Sequence, residues 1–173
     1  MTLQKPIAGK AIPKMSFPKL GGGSLSIGEP DDKWTLFIVY RGKHCGRCKK
    51  YFAVLEGMKT EWEDAGFNII TVSADPKEKA EADVAEFGWS FDVGYDLTEA
   101  QMRELNLYIS DPLTPDETDR RFSEPGIFCI RPDATIQIAA ISNGPAARPD
   151  LAELLDGMIF TIKHDKPARG TII

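Results

Sequence analysis

The chain has 173 residues, 42% of them hydrophobic and 27% charged, with a net charge of -5 at neutral pH. This is enough apolar material for one full-sized core and short of the length at which cores divide, so a single domain over residues 1–173 is expected. The acidic balance excludes a polyanion-binding surface, and with it nucleic acid as a partner, while the apolar fraction excludes a disordered chain.

In chain order, the opening MTLQKPIAGKAIPKM contains no uninterrupted apolar run of the secretory kind. No later segment approaches the roughly 18 apolar residues of a membrane span, so a soluble cytoplasmic protein with no membrane association is expected. Residues 1–33, rich in Pro, Gly and Lys, read as an extended N-terminal segment, in which Phe17 to Ile27 (FPKLGGGSLSI) predicts a hairpin around a glycine turn. Trp34 to Tyr40 (WTLFIVY) is a continuous apolar, aromatic and β-branched run, the pattern of a central strand covered on both faces. Tyr51, Phe52, Leu55, Met58 and Trp62 then recur at helical spacing, which predicts a helix from Arg47 to Asp64 ended at Gly66.

Phe67 to Ser73 (FNIITVS) predicts a second buried strand, Pro76 to Phe87 a polar surface helix opened by a first-turn proline, and Thr98 to Leu107 a helix with a Thr-x-x-Gln capping box. From Tyr108 to Phe122 the periodicity disappears, and two prolines with four acids predict a surface loop, either a lid or an insertion. Ile127 to Ile130 and Thr135 to Ile141 predict a hairpin turned by Arg131-Pro132-Asp133-Ala134. Pro149 and Asp150 open a last helix with Leu151, Leu154, Leu155, Met158, Ile159 and Ile162 on one face. The order βαβ…ββα predicts an α/β fold with a central mixed sheet flanked by helices and an N-terminal β-hairpin extension.

Three cysteines cannot form a multi-bridge framework, and Cys45 and Cys48 lie too close in sequence for a structural bridge to close a useful loop. The pair is available for chemistry. Disulfide exchange needs a thiolate to attack and a second thiol to resolve, and Cys45-Gly46-Arg47-Cys48 at a helix start supplies both. Cys45 meets the free N–H groups and the positive end of the helix dipole, which makes it the attacker; Cys48, one turn inside, is the resolving thiol. Residues 41–50 hold Arg41, Lys43, Arg47, Lys49, Lys50 and His44 without one acid, so these cations are expected to hold the Cys45 thiol below the roughly 8.5 of a free cysteine.

Other uses of the pair are inert core thiols or half of a zinc site. Zinc would need two more ligands, and only Cys129, His44 and His164 remain, none at a second paired spacing. Cys129 is expected as a small buried hydrophobe in its strand, and His164 as a surface residue complementing the last helix dipole. His44 either tunes the Cys45 thiol or shields it.

The stretch from Tyr40 to Tyr51 (YRGKHCGRCKKY) resembles the active-site segment of the peroxiredoxin-like branch of the alkyl hydroperoxide reductase/thiol-specific antioxidant (AhpC/TSA) family, within the thioredoxin superfamily. Val72-Ser73-Ala74-Asp75, Val93 to Thr98 (VGYDLT), Glu124 to Phe128 (EPGIF) and Ala147-Arg148-Pro149 carry the resemblance over residues 15–170. It implies a thioredoxin-like fold and a thiol-dependent oxidoreductase with catalytic Cys45 and Cys48. Arg41, His44, Arg47 and Pro125 are then the candidates for the substrate position, Pro125 as a cis-proline packed against the cysteine pair, with a trans proline at the start of a strand as the alternative. No cofactor or metal is implied; the reductant would be thioredoxin, glutaredoxin or glutathione, and a homodimer is left open.

The chain departs from that family at two places. Typical peroxiredoxins carry a proline seven residues and a threonine three residues before the reactive cysteine, and here Ile38 and Gly42 occupy those positions. Pro125 stands where an active-site arginine is expected, which leaves Arg120, Arg121, Arg131 or Arg148 to fold inward. Three functions follow in order: reduction of hydroperoxides through a Cys45 sulfenate resolved by Cys48, thiol-disulfide exchange on protein or small disulfides, and a non-catalytic redox sensor or adaptor.

Overall fold

The computed structural model describes residues 8–172, so the first seven residues of the N-terminal segment lie outside it. Four β-strands of the sequence reading form where expected: β3 (Trp34–Val39), β4 (Phe67–Val72), β8 (Gly126–Ile130) and β9 (Ile136–Ile141). A short strand not anticipated from sequence, β5 (Asp92–Gly94), adds a fifth. They make one mixed sheet in the order β5-β4-β3-β8-β9, with β3, β4 and β5 parallel and β8 and β9 antiparallel to their neighbours.

Alternation along β3 divides the core. Leu36 and Ile38 face one layer with Phe52, Leu55 and Trp62 of α1 (Gly46–Asp64), Ala80 of α2 (Lys77–Phe87), and Leu151, Leu155 and Met158 of α4 (Leu151–Lys163). Phe37 and Val39 face the other layer with Phe17, Leu25, Phe128 and Met102. All four β3 side chains are fully buried, each contributing about 1.5–3 kcal/mol relative to exposure. The hairpin of β1 (Met15–Pro18) and β2 (Ser24–Ile27) covers that second layer together with α3 (Glu99–Glu104), and Phe17 stacks on Phe37 at 5.7 Å.

Some boundaries differ from the sequence expectation. The capping box at Thr98 and Gln101 forms, but α3 ends at Glu104 because Asn106 adopts a left-handed conformation, φ 54°. Ile159 is 46% exposed, since α4 lies against α1 along a narrower stripe than its apolar spacing suggests. The expected loop from Tyr108 to Phe122 is anchored at both ends by a two-strand ribbon, β6 (Ile109–Ser110) with β7 (Phe122–Ser123). Among the described residues no helix is long and apolar enough to cross a membrane.

Candidate active site

The site begins where β3 leaves the sheet. Tyr40 donates its N–H to the Val72 carbonyl at 3.1 Å, and the chain then turns through residues 41–44 into α1. Cys45 is the N-cap: its backbone is extended and its sulfur accepts the Cys48 N–H at 3.3 Å, the place an Asp or Ser oxygen takes at other helix starts. All three cysteines are free thiols, with Cys45 3% and Cys48 1% exposed.

The two thiols are driven apart in acidity. Cys45 is lowered to about 6, chiefly by the Cys48 thiol donating to its sulfur, then by the Cys48 N–H and the Arg41 guanidinium, with burial acting against them. Cys48 is pushed strongly upward, first as the donor to Cys45 and then by burial. The lowered thiol agrees with the sequence reading; its cause does not. Of the cations in residues 41–50, Arg41 acts on the sulfur directly, whereas Lys43 and Lys49 turn to buried Asp83, 3.5 and 3.7 Å away, and Arg47 and Lys50 face solvent.

Arg41 is held from across the fold. Its Nε lies 3.1 Å from Glu124 Oε2, close but off the hydrogen-bond axis, and its Nη2 lies 3.7 Å from Glu117 Oε1. The guanidinium sits 4.9 Å above the Phe122 ring, and Ser110 donates to the other Glu124 oxygen at 2.7 Å. The segment between β6 and β7 thus folds onto the loop that leads into α1, and Lys79 ties it to α2 through the Thr118 hydroxyl at 3.3 Å. His44 is in the same contact: its ring meets Phe122 at 4.6 Å, neither nitrogen has a hydrogen-bond partner, and burial followed by the Arg41 charge lowers its pKa. It is therefore neutral at physiological pH, a shielding ring rather than a charge.

Gly42, where the family threonine would stand, has φ +123°, and a Cβ there would come within 2.7 Å of Asp75 Oδ2. That carboxylate accepts the Lys43 N–H at 2.6 Å and so pins the loop. The threonine is excluded by backbone conformation and by an occupied space. Burial raises the pKa of both Asp75 and Asp83.

Pro125 corrects the expectation of a cis bond: the described residues contain no cis peptide. Pro125 is buried at the mouth of β8, in line with Gly126 paired to Val39, and its carbonyl accepts the Ser142 N–H at 3.1 Å. Its predecessor Glu124 is the residue engaged with the site. Of the four arginines open at the sequence level, Arg120 pairs with Asp119 and Asp96, Arg121 with Asp111 and Glu99, and Arg131 with Gln137. Arg148 alone folds toward the pair, its guanidinium 4.5 Å above the Tyr51 ring and its charge felt at Cys48.

Arg47 lies apart from Arg41 and His44, in a cavity of about 350 Å³ beside α1. Cys129 is fully buried and pushed up to about 12 by burial alone, so it is not a nucleophile. Among the described residues no group of three or more His, Cys, Asp or Glu is arranged to hold a metal ion. Sequence reasoning missed Glu117, Glu124, Asp75 and Asp83; the Val72-Ser73-Ala74-Asp75 and Glu124-Pro125-Gly126 stretches carried the signal for two of them.

The AhpC/TSA family pattern matches residues 8–139, more than half of the chain. No curated protein matches the chain by sequence. Among solved structures, the reduced 2-Cys peroxiredoxin of Plasmodium vivax superposes with a TM-score of 0.74 at 16% identity, over 94% of this chain and 84% of the other. AhpC of Mycobacterium tuberculosis gives 0.73 at 16% identity, over 94% and 96%. A Chlorobium tepidum protein assigned as the thiol:disulfide interchange protein DsbE gives 0.64 at 16% identity, over 88% and 96%. These likenesses establish the thioredoxin-like fold.

Proposed function

The chain belongs to the AhpC/TSA family, and from that premise we propose that it is a thiol-dependent peroxidase in which Cys45 reduces a hydroperoxide and Cys48 resolves the product. The observation that carries the reading is Cys45 at the N-cap of α1, its sulfur accepting the Cys48 N–H at 3.3 Å, only 3% exposed and lowered to about 6, so a thiolate at neutral pH. A nearly closed thiolate admits a small peroxide far more readily than a folded protein.

In the first step the Cys45 thiolate attacks the distal peroxide oxygen, the O–O bond breaks, and the alkoxide leaves as an alcohol after taking a proton. Cys45 is then a sulfenic acid. The Arg41 charge, which favours the Cys45 thiolate, also offsets the negative charge that develops on the leaving oxygen. In the second step the Cys48 sulfur attacks the sulfenic sulfur, the Cys45–Cys48 disulfide forms and water leaves. Two external thiol equivalents restore the pair, and no bound cofactor is needed. His44 and Phe122 shield the sulfur.

Peroxide consumption with a dithiol donor tests this. Wild type is expected to turn over and Cys45→Ser to fall to the uncatalysed rate; equal slow consumption by both overturns the reading. A second reading, exchange with a disulfide substrate, is favoured by the pair of free thiols Cys45 and Cys48 at the start of α1, and a panel of small disulfides in the same assay separates the two.

A further inference from the structure

The cavity of about 350 Å³ lies between the first turns of α1 and the residues that lead into α4. Arg47, Lys50 and Tyr51 line one side and Arg148 with Pro149-Asp150 the other, and neither Cys45 nor Cys48 borders it. Arg41, Lys43 and Lys49 are each paired with an acid, but Arg47, Lys50 and Arg148 have no ion-pair partner among the described residues. Cations gathered around one concavity without a counter-charge repel one another, which favours an anion between them.

Arg148 is set in place before any ligand arrives. Its Nε donates to the Pro145 carbonyl at 2.9 Å, and its guanidinium lies 4.5 Å above the Tyr51 ring. Tyr51 is held in turn, its hydroxyl donating to the Pro149 carbonyl at 2.8 Å. The Arg148 Nη1 is nevertheless buried without a hydrogen-bond partner, a donor that the fold leaves unsatisfied. The lining acid, Asp150, is the N-cap of α4 and accepts the Glu153 N–H at 2.9 Å. Three cations and one carboxylate give the lining a formal balance of two positive charges.

We propose that this cavity is a binding site for a phosphate group, carried by free phosphate or by a small phosphomonoester. Three observations favour phosphate over a carboxylate. A phosphomonoester is close to a dianion at neutral pH, which matches the charge balance of the lining. Its tetrahedral oxygens accept from two guanidinium forks and an ammonium arriving from different sides, whereas a carboxylate offers two oxygens in one plane. The cavity is also of small-ligand size, and Val54, Ala146 and Leu151 provide an apolar wall for an organic body beyond the phosphate. No bond is made or broken here, and the site does not depend on the reading of the cysteine pair.

Calorimetric titration of the reduced protein with inorganic phosphate and with glycerol 3-phosphate tests the site, with sulfate and succinate as controls. Both phosphates are expected to bind wild type, and the Arg47→Gln, Lys50→Gln double variant, altered only at exposed positions, is expected to bind them about tenfold more weakly. Arg148→Gln is expected to weaken binding at least as much, because it removes the preset fork. From about pH 5 to about pH 7.5 the affinity for glycerol 3-phosphate is expected to rise about fivefold as its second proton leaves, while that for sulfate stays level. In wild type the amide resonances of residues 47–54 and 146–151 are expected to move on titration, a readout that needs no variant. Tighter binding of glycerol 3-phosphate than of inorganic phosphate assigns an ester as the ligand, and equal binding assigns free phosphate. The proposal is overturned by no binding at about 10 mM of either phosphate, by affinities unchanged in both variants, by resonances moving elsewhere, or by succinate binding as tightly as phosphate. None of these outcomes alters the expected peroxide turnover by Cys45, so the two readings fail separately.

Discussion

One turn of α1 separates the two sulfurs, and the surroundings on either side of that turn are built differently. On the Cys45 side every charge is answered: Arg41 by Glu117 and Glu124, Lys43 and Lys49 by Asp83, and the loop N–H of Lys43 by Asp75. Phe122 and the neutral His44 close over these groups. Beyond that turn Arg47, Lys50 and Arg148 line a cavity that neither cysteine borders, and they have no ion-pair partner among the described residues. The first wall is closed and charge-balanced, and the second is open and cationic.

Breaking the closed side should cost the most. Arg41→Gln leaves Glu124, 5% exposed, without its cation, and a destabilisation of about 3 kcal/mol is expected in urea unfolding, because stranding a buried charge is worse than losing the pair. Gly42→Thr tests the departure from the family pattern. The substitution puts a Cβ at φ +123° and against Asp75, so a loss of roughly 2–3 kcal/mol and a slower peroxide reaction are expected, rather than a gain of family-like activity.

The division of acidity between the thiols is read by alkylation against pH. In wild type the rate should be half-maximal near pH 6, because the thiolate is present above the lowered pKa and is lost as pH falls through it. In Cys48→Ser the midpoint should move upward by about one pH unit, as the leading donor is replaced and the Arg41 and backbone contributions remain. An unmoved midpoint would transfer the cause to Arg41. The smallest effect is expected from Tyr51→Phe on the open side, which removes the 2.8 Å bond to the Pro149 carbonyl and costs about 1 kcal/mol in thermal unfolding.

Much of this was legible before the fold. The strand from Trp34, the amphipathic helix from the cysteines and the Thr98 capping box are local patterns, and the sheet assembled from them as expected. The assignment of Cys45 as the more acidic thiol was also local, since it follows from a helix start. The reasons for its acidity were not. Runs of cations in sequence look alike, and only the packing of α2 and of the β6–β7 segment separates the paired ones from the unpaired ones. β5 escaped notice because three residues carry too little periodicity to register, and they become a strand through pairing with β4.

What the sequence by itself determined is the place of the Cys45-x-x-Cys48 motif at a helix start and the elements that present it, because hydrophobic period, capping residues and turn glycines act within a few residues. Tertiary structure alone decided the trans geometry of Pro125, the pinning of Gly42 by Asp75, the clamp of Glu117 and Glu124 on Arg41, and the inward fold of Arg148. Each of these joins residues distant in the chain, and their energies depend on burial and on the charge that happens to lie opposite. Those quantities exist only once the sheet has brought the segments together.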